Sequence, residues 1–143
     1  MPRVKIDLPD SFVYSTSLTV RITDLNYGAH VGNDKVLSFL HEARVRYLKS
    51  IGYTEFNFEG IGMIMADAVL IFKSEIFYRD ELQISIQPVE CNRAGFDLIY
   101  KIEKLWEGKP IIAGIAKTTM TCYDYKLKKV VALPESAKRK LEN

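Results

Sequence analysis

The chain has 143 residues, of which 48% are hydrophobic and 27% charged. That is enough for one domain with a packed core, and it excludes a disordered chain. The formal net charge of +2 is too small for a protein that neutralises many phosphates, which argues against nucleic acid as a partner.

The amino-terminal stretch MPRVKIDLPDSF has no apolar segment of the signal-peptide kind, and no run reaches membrane-span length. The expected location is therefore the cytoplasm. Residues 12–23, FVYSTSLTVRIT, alternate and are β-branched, which predicts a strand. Two bends follow, Asn26-Tyr27-Gly28 and Gly32-Asn33-Asp34.

Residues 35–50 read as a helix. Val36, Phe39, Leu40, Ala43 and Tyr47 recur at three and four, giving one apolar stripe that Leu37 and Leu48 widen. Asn33 or Asp34 suits the N-cap, and Gly52 suits the position just past the end. Both histidines, His30 and His41, lie in or just ahead of this helix.

The rest is mostly β. Residues 61–78 begin nearly all apolar, so their first half is expected to be buried on both faces. Arg79-Asp80 turns the chain. Residues 82–90 and 96–106 alternate, Glu107-Gly108 makes a hairpin turn, and 110–123 form a long strand. A short strand at 129–133 and a short helix from Glu135 close a single domain spanning 1–143.

One helix of sixteen residues covers only one face of such a sheet, so the class is α+β. The other face must find a partner or stay wet. The apolar stretch MIMADAVLIF points to a second copy of the chain, as a homodimer or homotetramer. Basic residues gather late, at Lys126, Lys128, Lys129, Lys138, Arg139 and Lys140. They make either a solvated tail or a binding patch. Cys91 and Cys122 lack the spacing of a metal site or disulfide scaffold, so no metal is expected.

The start of the helix is the chemical feature. Its first N–H groups have no partner inside the helix, and the macrodipole adds roughly half a positive charge there. Either the bend is an ordinary cap, or it aims amides at a negative charge.

Three motifs, in order, carry a resemblance. Asp24-Leu25-Asn26, Ala29-His30-Val31-Gly32-Asn33 and Glu42-Ala43-Arg44-Val45-Arg46-Tyr47-Leu48 are similar to the Asp-x-Asp, Gly-His-Val-x-Asn and Glu-Ala-Arg-x-x-Tyr-Leu of hotdog-fold acyl-CoA thioesterases of the 4-hydroxybenzoyl-CoA thioesterase type. Asp80-Glu81-Leu82, Tyr123-Asp124 and Leu133-Pro134 fit as well, over roughly 18–141. The resemblance implies an antiparallel sheet of five or six strands wrapped around one long central helix. It also implies hydrolysis of an acyl-CoA or acyl-carrier-protein thioester, with no cofactor.

The resemblance implies roles residue by residue. The N–H of Asn33 would face the thioester oxygen. The family's second acid, its catalytic carboxylate, is replaced by Asn26, and an amide cannot serve as nucleophile or base. Glu42 stands where another branch of the fold carries its carboxylate on the helix, which would make it the base, supplied from the same or the facing subunit; its plainer role is an ion pair with Arg46. His30 matches a functional histidine of plant acyl-carrier-protein thioesterases; its plainer role is a turn histidine that hydrogen-bonds only backbone. Asp24 caps or braces the bend, and His41 is either a second, weaker functional histidine or a residue of the helix surface. Asp67, alone in an apolar strand, is either a second acid or a rim residue. Tyr27, Gly32, Met63, Met65 and Arg93 are the substrate-binding candidates, with Phe56, Phe58 and Lys117 as weaker ones. The alternatives to hydrolysis are a hotdog protein that binds acyl thioesters without cleaving them, and a dehydratase that pairs His30 with Asp67 or Glu42.

Overall fold

The computed structural model describes residues 4–143; the first three residues of the amino-terminal stretch lie outside it. In chain order the elements are β1 (Tyr14–Thr19), a 3₁₀ turn (Ile22–Asp24), α1 (Asn33–Ser50), β2 (Gly62–Phe72), β3 (Glu81–Val89), β4 (Gly95–Trp106), β5 (Lys109–Asp124), β6 (Lys129–Val130) and α2 (Glu135–Glu142). The strands form one six-stranded antiparallel sheet in the order β1-β3-β4-β5-β2, with β6 beside β5. This is the hotdog arrangement, a sheet curled about one long helix.

The alternation in the sequence sets the faces, because residues directly opposite in antiparallel strands share a side. Phe96, Leu98, Tyr100 and Ile102 of β4 lie opposite Met120, Thr118, Ala116 and Gly114 of β5. Ile84 and Ile86 of β3 extend the same buried layer. Onto it α1 lays Val36, Phe39, Leu40, Ala43, Tyr47 and Leu48, the stripe its periodicity foretold. Leu40 and Leu48 are fully buried, and truncating either to Ala would cost about 2–5 kcal/mol. The Glu107-Gly108 turn is a two-residue hairpin with both φ values positive, 51° and 78°.

Five sequence expectations change, the first being the strand expected over 129–133, which spans only Lys129–Val130. The strand expected over 12–23 is shorter, because the chain leaves the sheet after Thr19 and winds into the 3₁₀ turn. The helix begins at Asn33, so its N-cap is Gly32, with no side-chain cap, rather than Asn33 or Asp34. The strand expected over 61–78 ends at Phe72.

The first half of that strand is also not buried on both faces. Gly62 and Met63 are buried, but Ile64, Met65, Ala66 and Asp67 are exposed. The reason is position: β2 is the last strand of the sheet and pairs only with β5. A bulge between Met65 and Asp67 bends this free edge. On the outer face of the sheet, residues 4–9 share a hollow with Val69, Ile99 and Lys117, so that face is partly covered by the chain itself.

Candidate functional site

The bend between the 3₁₀ turn and α1 is held by backbone and side chain together. The Asn26 N–H donates to the His30 carbonyl at 2.9 Å, and the Ala29 N–H to the Asn26 carbonyl at 3.1 Å. The Gly28 N–H donates to Asn26 Oδ1 at 2.8 Å. This turn forces Ala29 to φ 65°, the left-handed region that favours glycine. Strain of this kind persists only where surrounding contacts fix it. Here the Val31 N–H donates to the Ile76 carbonyl at 2.8 Å, and Val31 bridges back to Leu25. Asp24 is buried and accepts the Arg21 N–H at 2.8 Å, which makes it a brace, as the sequence suggested.

The bend delivers α1 with an open end. Gly32 is its N-cap and offers no side-chain acceptor. Among the described residues, nothing accepts the N–H of Asn33 or Asp34. Asn33 lines a groove of about 260 Å³, walled by His30, Val31 and Val36 on one side and by Phe72 and Lys73–Ile76 on the other. A Cβ on Gly32 would lie 2.7 Å from Asp34 Oδ1 and 3.9 Å from Asn26 Nδ2, so the amide of Asn26 stands beside the helix start. Because its Oδ1 already accepts from Gly28, the Nδ2 donors are the free ones.

His30 is half-buried and its Nδ1 lies 3.2 Å from the Val31 carbonyl. A carbonyl only accepts, so that nitrogen carries the proton and Nε2 presents a lone pair toward Gly28.

The structure thus brings Asn26, His30, Gly32 and Asn33 together, and it separates the others. Glu42 is exposed, lines a different groove with Ser38, Lys35 and Arg21, and accepts from Arg46 Nε at 2.9 Å. Arg46 also reaches Thr16 and the Ser17 carbonyl. Asp67 is exposed on the outer face opposite Thr119, so it is a rim residue and not a buried acid. Neither meets His30 within the chain. Tyr27 is fully exposed at the tip of the bend. Met63 and Phe58 are core residues, whereas Met65 and Phe56 are exposed. Arg93 is exposed in the β3–β4 turn, where its carbonyl accepts the Leu133 N–H. Lys117 lies in the outer hollow beside residues 4–9.

In one cluster the sequence offers His41 and Arg44 but not their partners. His41 Nε2 lies 2.7 Å from Glu55 Oε1, and Arg44 Nε donates to Glu55 Oε2 at 3.1 Å. Arg44 is buried and donates from Nη1 to the buried Tyr100 hydroxyl at 3.1 Å, which shares a hydrogen with Thr118 Oγ1 at 2.7 Å. Burial disfavours the phenolate of Tyr100, and although Arg44 opposes this, the pKa of the phenol is raised.

The thioesterase-like superfamily matches residues 20–141, from the end of β1 through α2. The chain belongs to this superfamily. Thioester hydrolysis is the reaction class that goes with membership. Solved thioesterases share the superfamily member's fold. A 1,4-dihydroxy-2-naphthoyl-CoA thioesterase from Synechocystis is 17% identical with a TM-score of 0.80, covering 91% of this chain and 96% of that one. A 4-hydroxybenzoyl CoA thioesterase mutant complexed with 4-hydroxybenzoyl CoA is 15% identical with a TM-score of 0.82, covering 90% and 97%. A DHNA-CoA thioesterase from Staphylococcus aureus is 18% identical with a TM-score of 0.79, covering 90% and 89%. No match is found among curated proteins.

Proposed function

We propose that this chain, acting as one hotdog domain, hydrolyses an acyl-CoA or acyl-carrier-protein thioester at the start of α1. The observation that carries the reading is the uncapped helix end: the free N–H of Asn33 lies at a groove lined by His30, with Asn26 beside the helix start. As water attacks the carbonyl carbon, negative charge grows on the thioester oxygen. The Asn33 N–H and the helix dipole stabilise it without reorganising. Asn26 donates from Nδ2 and takes no proton. His30 accepts a hydrogen bond at Nε2 and orients water or substrate. The tetrahedral intermediate then collapses by breaking the C–S bond.

The free edge of β2 supports a homodimer, with pairs of dimers as the further possibility. It is eleven residues long, carries Asp67 as its sole charge, and exposes Ile64, Met65 and Phe72. A bare edge of that kind invites a second strand. Antiparallel pairing with its own copy would satisfy it.

The test is backbone-specific. Asn33 is the first residue of α1, where proline is accommodated and removes only an N–H that has no helical partner. Gly32, at φ −73° and ψ 154°, already has the extended backbone that proline requires ahead of it. Thiol release is followed on a panel of acyl-CoAs that includes aromatic acyl groups, as in the solved relatives. Asn33→Pro is expected to fold and to lose about 10²–10³ in kcat. Asn33→Ala, which keeps the N–H, is expected to lose far less. A proline variant as active as the parent would end the proposal.

The amide at Asn26 favours a second reading, a protein that binds acyl thioesters without cleaving them. Tight binding by calorimetry with no thiol release across the panel would establish it.

A further inference from the structure

On the side of α1 turned toward β2, His41 of the helix pairs with Glu55 of the loop that follows it, a pair that the helix start does not use. Glu55 can only accept, so the proton of His41 sits on Nε2 and the lone pair on Nδ1. Glu55 is itself fixed from behind by Arg44, and Arg44 by Tyr100. A carboxylate held this way orients an imidazole and offsets the charge it gains on taking a proton. His41 lies at the mouth of a hollow of about 190 Å³ with Leu37, Ser38, Arg44 and Met65. The charged groups around it are Arg44 and Glu55; Leu37, Ser38 and Met65 carry none. The hollow opens at the free edge of the sheet, beside the bulge of β2.

We propose that His41, backed by Glu55, is the general base for the thioester held at the α1 start of a second copy of the chain. This rests on the hydrolytic reading above and adds the group that takes the proton. Within one chain the two sites are apart: His41 follows Asn33 by eight residues, roughly 12 Å along the helix. Their places against β2 show how they meet. The groove at the helix start includes Phe72, at one end of the strand, and the His41 hollow includes Met65, toward the other. Two-fold antiparallel pairing reverses the partner strand. It sets the Phe72 end of one copy against the Met65 end of the other, and so one helix start against the other copy's His41. Each dimer gains two equivalent sites.

His30 suits this step poorly. A positive charge on its ring would sit at the positive end of α1, in a groove that also holds Lys73. Its fixed partner is a neutral carbonyl, whereas His41 has a carboxylate.

The step balances. Water loses a proton to His41 Nδ1 as its oxygen bonds to the carbonyl carbon and an electron pair moves to the carbonyl oxygen at the Asn33 N–H. On collapse the C–S bond breaks and the proton passes from His41 to the leaving thiolate, giving acid and thiol.

Thiol release from the best acyl-CoA of the panel is measured against pH for the parent, His41→Gln, Glu55→Gln and His30→Asn. His41→Gln is expected to lower kcat/KM by about 10²-fold or more and to abolish the acid limb of the profile. Glu55→Gln should lower it less, and His30→Asn should keep the acid limb. Co-expression of His41→Gln with Asn33→Pro decides the geometry. Mixed dimers hold one site with both an intact helix start and an intact His41, so the mixture should recover about one quarter of parental turnover. A mixture that stays inactive, or a His41→Gln profile that keeps its acid limb, overturns the proposal. Full activity in Asn33→Pro alone would instead overturn the helix-start reading on which it rests.

Discussion

Asn26 Oδ1 accepts the Gly28 N–H at 2.8 Å, and this one bond makes the side chain the clasp of a turn. The side chain fixes the bend, and the bend sets where α1 begins. Removing the acceptor leaves the strained Ala29 with less to hold it. Asn26→Ala is therefore expected to lower stability by about 1 kcal/mol, read as a shift of the urea midpoint at unchanged slope. Asn26→Asp keeps an acceptor and adds a negative charge near the positive end of α1, so it should match or exceed the parent. Equal loss in both variants would show that the bend does not depend on the acceptor.

What the sequence could convey follows from which forces are local. The stripe from Val36 to Leu48 and the alternation of β4 are local patterns, and both elements appear where those patterns run. The capping residue is different. Asn33 and Asp34 are good cap types, yet Val31 is tied to Ile76 and Leu25, so the chain turns helical one residue earlier and Gly32 takes the position. The burial of β2 depends on its place in the sheet, which long-range pairing decides; an apolar run fits an interior strand or an edge that meets a second copy. The helix face of a candidate base was the hardest to read. Glu42 and His41 are neighbours in sequence, but a step of one residue turns about 100° around a helix. One faces Arg46 and the β1 side, the other Glu55 and the β2 side. Glu55 lies in the loop after α1, at no helical spacing from His41, so no periodicity announces the pair.

The Tyr100 hydroxyl joins Arg44 of α1 to Thr118 of β5 in the core, with all three residues buried. Tyr100→Phe keeps the ring and its packing but strips one partner from each of the other two. A buried donor left unsatisfied costs about 1–3 kcal/mol. The variant should be destabilised by that order in urea unfolding. Thr118→Val made on top of Tyr100→Phe should cost little more, since the threonine hydroxyl has by then lost its partner. Additive losses would mean that the two hydroxyls act independently.

The two thiols give a prediction about pH. Cys122 is fully buried in β5, and burial alone pushes its thiol up to about 11 from an ordinary value of 9.0. Cys91 is half-buried and also raised, first by burial, then by Glu142, against the opposing Lys138. Reactivity follows the thiolate, so at pH 8 a thiol reagent should modify Cys91 slowly and Cys122 only after unfolding. The sign for stability follows from linkage. Below pH 9 both states hold the Cys122 proton and its contribution is fully present. As pH rises from 9 toward 11 the unfolded chain releases the proton first, and the folded state loses ground. Tyr47, also raised by burial, adds to the same trend above pH 10. Urea midpoints are thus expected to fall from pH 8 to pH 10.5, and to fall less in Cys122→Ala. Parallel declines in parent and variant would show that this thiol has no part in the alkaline loss.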